Sequence, residues 1–145
     1  MKISSRFTIA AHILLAIYKF GGSQKTTSEF LAASVNVNPV VIRRILLSLK
    51  AAGVVEVKAG SGGASLARLA EEITLYDLYK AVDCVEGDAG ELFRFHDAPN
   101  PECPVGRNIH AVLDEKLEKA QKALEDELKA VTIADLEQDL DNRIG

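Results

Sequence analysis

Cysteine is scarce in this chain of 145 residues: Cys84 and Cys103 are the only two, and neither belongs to a CxxC pair or has a histidine at ligand spacing. That excludes zinc-ligand spacing and a disulfide-stapled secreted scaffold, so reduced thiols and no bound metal are expected. Long apolar runs are missing too. No stretch of about 18 or more apolar residues occurs, and the N-terminus has no signal-peptide core followed by a small-residue cleavage site. A soluble, cytoplasmic protein without a membrane partner is expected. Catalytic patterns are equally absent: the three histidines, His12, His96 and His110, are scattered, and neither G-x-S-x-G nor H-E-x-x-H occurs. Phosphate-cradling glycine motifs are lacking as well, so the reading is not an enzyme and needs no cofactor.

What the chain does have is a hydrophobic content of 48%, enough for one ordinary core with an appended helical element. Its net charge of −4 hides a division. Residues 1–68 hold nine Lys and Arg against two acids, Glu29 and Glu56, whereas residues 69–145 hold eight against nineteen. A basic half is the electrostatic footprint of a duplex binder, since phosphate neutralisation supplies much of the affinity; a solvated surface with uneven charge is the alternative.

Within the basic half, Asn38 to Gly53 spells NPVVIRRILLSLKAAG. Asn38 suits a helix cap, Pro39 the first helical position and Gly53 a left-handed close. Val41, Ile45, Leu46, Leu49 and Ala52 fall on one predicted apolar stripe, with Arg43, Arg44, Ser48 and Lys50 largely off it. Upstream, Thr26 and Glu29 read as a capping box opening a short helix to Ser34, and Val35–Val37 is the turn. Helix, turn and arginine-bearing helix make a helix-turn-helix, whose second helix enters the major groove by its first turns. The candidates for DNA contact there are Thr27, Asn38, Pro39, Val40, Val41, Arg43 and Arg44. Arginine has the fork that matches guanine O6 and N7, and valine offers apolar contact to a thymine methyl.

Downstream, Val54–Lys58 alternates as a half-buried strand and Ala64–Arg68 is its return strand. The glycine-rich turn between them, with Ser61, Gly62 and Gly63 beside Lys58, lets backbone approach phosphate or the minor groove. Ahead of the motif, Ser5–Lys19 is dense enough in apolar residues for a largely buried helix, with His12 expected to be a packed core residue. Ser4 and Arg6 at its start reach a phosphate backbone or form a solvated end. Thr74 and Asp77 cap a fourth helix to Val82, expected to bury Leu75, Leu78, Tyr79 and Val82. Residues 84–104 lose periodicity and hold three of the four prolines; Leu92, Phe93 and Phe95 are candidates to dock, and His96 and Cys103 for a metal or redox site.

From Val105 to Val131, Ile109, Leu113, Leu117, Ala120, Leu124, Leu128 and Val131 recur at steps of three and four, the seam of a helix that pairs in a coiled-coil manner. A symmetric copy is the simplest partner, and two recognition helices then read two half-sites of a palindrome; folding back on its own domain is the alternative. Thr132 with Asp135 opens a last short helix. The predicted architecture is mainly α with a two-stranded β wing. It comprises a winged helix-turn-helix domain at 1–83, a connector at 84–104, and a dimerisation helix with a C-terminal helix at 105–145.

The segments SSRFTIAAHILLAI, NPVVIRRILLSLKAAGVVEVKAG, SGGASLAR, EITLYDLYKAV and PECPVG, in that order, resemble the Rrf-two family of bacterial winged helix-turn-helix regulators. The resemblance implies a homodimeric, sequence-specific DNA-binding repressor with the 38–52 helix and the 58–65 wing on a palindromic operator. Departures from the family are specific. Lys58 stands where family wings carry arginine and Ala64 where they carry tyrosine, so different wing contacts are expected. Cluster-binding members carry three cysteines before the long helix, and here only Cys103 stands there, so the resemblance is to members without an iron-sulfur cluster. Redox sensing through Cys103 is an expectation drawn from its position. The effector is not specified by any residue pattern. A protein-protein adaptor using the same domain and seam without DNA is the alternative function, separated from the first by charge reversal at Arg43 and Arg44.

Overall fold

Asn38 fixes where the central helix begins. Its Oδ1 accepts the Val40 N–H at 2.9 Å, and Pro39 sits at the first position, where a missing N–H costs nothing. In the computed structural model, which describes residues 3–59, 62–82 and 91–145, this helix and five others are ordered along the chain. They are α1 (Arg6–Phe20), α2 (Ser28–Val35), α3 (Pro39–Ala51), α4 (Leu75–Ala81), α5 (Pro104–Lys129) and α6 (Ile133–Ile144). Strands β1 (Val55–Lys58) and β2 (Gly63–Leu66) stand between α3 and α4, and a 3-10 turn at Ala70–Glu72 precedes α4. The class is therefore the predicted one, helical with a small antiparallel wing.

Helix α3 ends in a Schellman motif. Gly53 takes a φ of +75°, its N–H reaching Lys50 O and the Val54 N–H reaching Leu49 O. The buried face comprises Ile42, Ile45, Leu46 and Leu49. That corrects the predicted stripe: Ile42 belongs to it, Val41 is only half-buried at its edge, and Ala52 is exposed beyond the last helical residue. The helix itself dictates this, because positions 42, 45, 46 and 49 lie within one narrow arc.

The turn into α3 rests on Asn36, which adopts φ 65° and ψ 50° and donates its N–H to Ala32 O at 2.7 Å. Asparagine tolerates this left-handed geometry better than most side chains. Helices α2 and α3 consequently meet at a bend of 111°, within the range of helix-turn-helix pairs. The predicted capping box at Thr26 is not formed, and the cap itself lies one residue on. Thr27 is the N-cap, accepting the Phe30 N–H, while Thr26 is buried and donates its hydroxyl to Ala64 O of β2. Ala64 N–H returns a bond to Thr26 O at 2.9 Å, so the wing is sewn to the start of α2.

The wing pairs Val55 with Leu66, Glu56 with Ser65, Val57 with Ala64 and Lys58 with Gly63. Gly63 has φ +80°, and a Cβ there would come within 2.9 Å of Thr26 N; neither the conformation nor the space admits a side chain. Thr74 and Asp77 form the predicted capping box of α4, which buries Leu78 and Tyr79, with Val82 buried at its end and Leu75 half-buried. Arg68 adds a 3.3 Å contact to Asp77.

The C-terminal segments join the same core. Ile133 is fully buried, its N–H bonded to Ile73 O, and Leu75 N–H reaches Val131 O. Thr132 and Asp135 make a second capping box, and α6 runs to Ile144, packing on α1, where Tyr18 donates to Asp141 Oδ2 at 2.5 Å. Of the connector residues expected to dock, Leu92 is buried and bonds Gln121 Oε1 through its N–H, Phe93 packs on the core, and Phe95 is exposed. Cys84 lies outside the described residues. His12 is corrected: it is exposed, with Nε2 2.9 Å from Ser34 Oγ, beside an open apolar groove between α1 and α6.

Candidate nucleic-acid interface

The solvent face of α3 divides its two arginines between two clefts. Consecutive helical residues are turned by about 100°, and Arg43 and Arg44 accordingly line different depressions. Arg43 faces a cleft of about 350 Å³ bounded by the start of α2, including Thr27 and Glu29, and by Lys58, Gly63 and Ala64 of the wing. Arg44 faces a second, of about 250 Å³, whose lip is shared by Arg6, Val41 and Ser48. The predicted contact residues are thus brought together as two groups flanking one helix, not as a single patch.

Individual roles follow from their bonds. Val40 is exposed at the first turn and presents an apolar surface beside the arginines. Asn38 uses its carbonyl oxygen as the cap, and Thr27 uses its hydroxyl in the same way, so both are first of all structural. Pro39 is half-buried. Ser4 Oγ accepts the Arg6 N–H at 3.2 Å and so fixes the start of α1 near the second cleft. Lys58 is exposed, and Gly62 lies so close along its stem that a Cβ would fall 2.3 Å from Lys58 Cβ. Ser61 lies outside the described residues.

Two residues that matter here were not among the predicted contacts. Thr26 holds the wing in place, and its partner Ala64 is 38 residues away, beyond any local pattern. Glu29 was read as half of a capping box; its carboxylate instead takes Arg43 Nη2 at 2.7 Å. Hydrogen bonding from its own backbone, then from Arg43, holds that carboxyl below the ordinary glutamate range.

A family model for Rrf2, described as iron-dependent transcriptional regulators, matches residues 3–139. The chain belongs to the Rrf2 family. YwnA of Bacillus subtilis strain 168, assigned by name to the HTH-type transcriptional regulators, is 44% identical over 134 residues, 92% of this chain and 96% of its own. A solved chain assigned as a DNA-binding protein is 37% identical with a TM-score of 0.68, covering 90% of this chain and 97% of its own. A solved Lactobacillus plantarum chain, assigned as a transcriptional regulator, superposes with a TM-score of 0.75 at 28% identity, covering 94% and 90%. This Rrf2 member is therefore a transcriptional regulator of a non-enzymatic family, and among its described residues no single helix is long and apolar enough to cross a membrane.

Among the described residues the iron in the family description finds no matching donor set. The chain has two cysteines, short of the four thiolates of an all-cysteine cluster, and among the described residues no three His, Cys, Asp or Glu are placed to hold a metal ion. Cys103 instead occupies the N-cap position of α5. The Gly106 and Val105 amides at the helix start, in that order, favour its thiolate and pull the thiol below the ordinary range. His96 lies against His110, which contacts Asp114 at 3.0 Å.

Proposed function

We propose that this Rrf2 protein is a homodimeric, sequence-specific repressor that binds a twofold-symmetric operator through α3 and the wing. The observation that carries the reading is that Val40, Arg43 and Arg44 are all exposed on the outer side of α3, with Arg43 sharing a cleft with Lys58 of the wing and Arg44 one with Arg6. The first turns of α3 enter the major groove, where the Arg43 fork addresses a guanine edge and Val40 a thymine methyl, while Arg44 faces the flanking phosphates. Lys58 and the backbone near Gly62 and Gly63 approach the flanking phosphates or minor groove, and Arg6 and Ser4 those on the other side. Repression follows from occupancy, since a bound dimer denies the site to the transcription machinery.

The dimer is formed along α5. None of its 26 residues is buried in one chain, and Val105, Val112 and Leu113 are exposed at 68%, 55% and 38%. Of the seam, Leu124 and Leu128 pack against their own core and Val131 lies beyond the end of α5, which leaves Ile109, Leu113, Leu117 and Ala120 for a second copy. The acidic C-terminal half carries its charge away from DNA and so orients the approach.

The test is binding of purified protein to the DNA upstream of its own gene, titrated with salt beside an unrelated duplex. Tight, salt-sensitive preference for the upstream DNA that is abolished by Arg43→Glu with Arg44→Glu supports the repressor. No binding to either duplex even at low salt favours the adaptor reading instead.

A further inference from the structure

We infer that Glu29 is a specificity-determining residue, holding Arg43 for a base edge and keeping it from phosphate. The inference rests on the DNA-binding reading above and deepens it. The basic half contains only two acids, and one of them sits on the α2 edge of the cleft that faces the wing, in contact with an arginine of the recognition helix. The two side chains are 52% and 68% exposed, so the pair adds little to folding stability and its placement needs another reason.

Chemistry supplies one. A guanidinium has five donors in a rigid fork; the carboxylate fixes one nitrogen, and donors remain for guanine O6 and N7. A phosphate in the same place meets the carboxylate's negative charge at close range, so Arg43 cannot turn to the backbone without bringing like charges together. Arg44 is the internal contrast. It has no ion-pair partner among the described residues and is open to phosphate in the cleft that it shares with Arg6. Glu29 therefore lowers affinity for DNA at large and raises the fraction of Arg43 contacts that depend on sequence.

The experiment is fluorescence anisotropy over a salt series with wild type, Glu29→Gln, Arg43→Ala and the double variant, on an operator obtained by selection and on an unrelated duplex. Glu29→Gln is expected to bind the unrelated duplex more tightly, with a salt slope steeper by about one, while the operator preference falls about tenfold. In the Arg43→Ala background the same change is expected to leave the operator preference where Arg43→Ala puts it. Unchanged preference in Glu29→Gln overturns the inference, as does an equal loss with Arg43 absent. Failure of the wild type to prefer any duplex overturns the DNA-binding reading and this inference with it. Matching melting curves for wild type and Glu29→Gln separate the effect from folding.

Discussion

Helices α3 and α5 both carry apolar stripes, yet they stand in opposite relations to the core. In 13 residues α3 buries Ile42, Ile45, Leu46 and Leu49; in 26 residues α5 buries none. A periodic stripe thus says that a helix needs a partner, not where the partner comes from. The core of the same chain covers α3, which holds its outer face in place, as the proposed groove reading requires. Along α5 only the C-terminal end, at Leu124 and Leu128, leans on that core. The remainder is the surface proposed for the second copy.

The comparison breaks most visibly in stability. Ile42→Ala opens a cavity beneath α3 and is expected to cost about 2–5 kcal/mol in chemical denaturation, whereas Val112→Ala on exposed α5 is expected to change the monomer's stability by less than about 0.5 kcal/mol. Leu113→Glu sharpens the contrast from the other side. It is expected to shift sedimentation from dimer to monomer while leaving the winged domain's far-ultraviolet spectrum intact; an unaltered sedimentation coefficient assigns the seam no role in assembly.

Intermediate effects belong to the joints. Gly63→Ala forces a side chain into a left-handed conformation against Thr26 and is expected to destabilise by about 1–3 kcal/mol and to loosen the wing, read as faster amide exchange at Ala64. Thr74→Ala removes a cap and is expected to cost about 1 kcal/mol. The smallest effect is chemical. The lowered Cys103 thiol is expected to alkylate with iodoacetamide along a pH profile displaced below that of a free thiol, since the thiolate is the reacting form and the neighbouring amides favour deprotonation. A Cys84→Ser background isolates that signal, and a profile at the ordinary thiol pKa contradicts it.

The caps at Asn38, Thr74 and Thr132 and the left-handed stop at Gly53 were legible in the sequence because each depends on residues within four positions. Thr26 and Thr27 show where local reading ends. Either threonine can start α2, and what decides between them is the Ala64 carbonyl on the wing, which recruits the Thr26 hydroxyl and leaves the cap to Thr27. Glu29 followed the same course: sequence spacing pointed at a cap, and Arg43, 14 residues on, took the carboxylate. His12 was misplaced because apolar density around a residue does not reveal which side of the helix the core occupies. The division of Arg43 and Arg44 between two clefts required the wing and α1 to be in place, so the candidate site was legible as a set of residues but not as a geometry.

The most direct test is selection of duplexes from a random library by the purified protein, followed by sequencing. The account predicts enrichment of a twofold-symmetric motif with half-sites about one helical turn apart, lost when Arg43 and Arg44 are both replaced by alanine. Recovery of no motif, or of the same motif by the double variant, would contradict it.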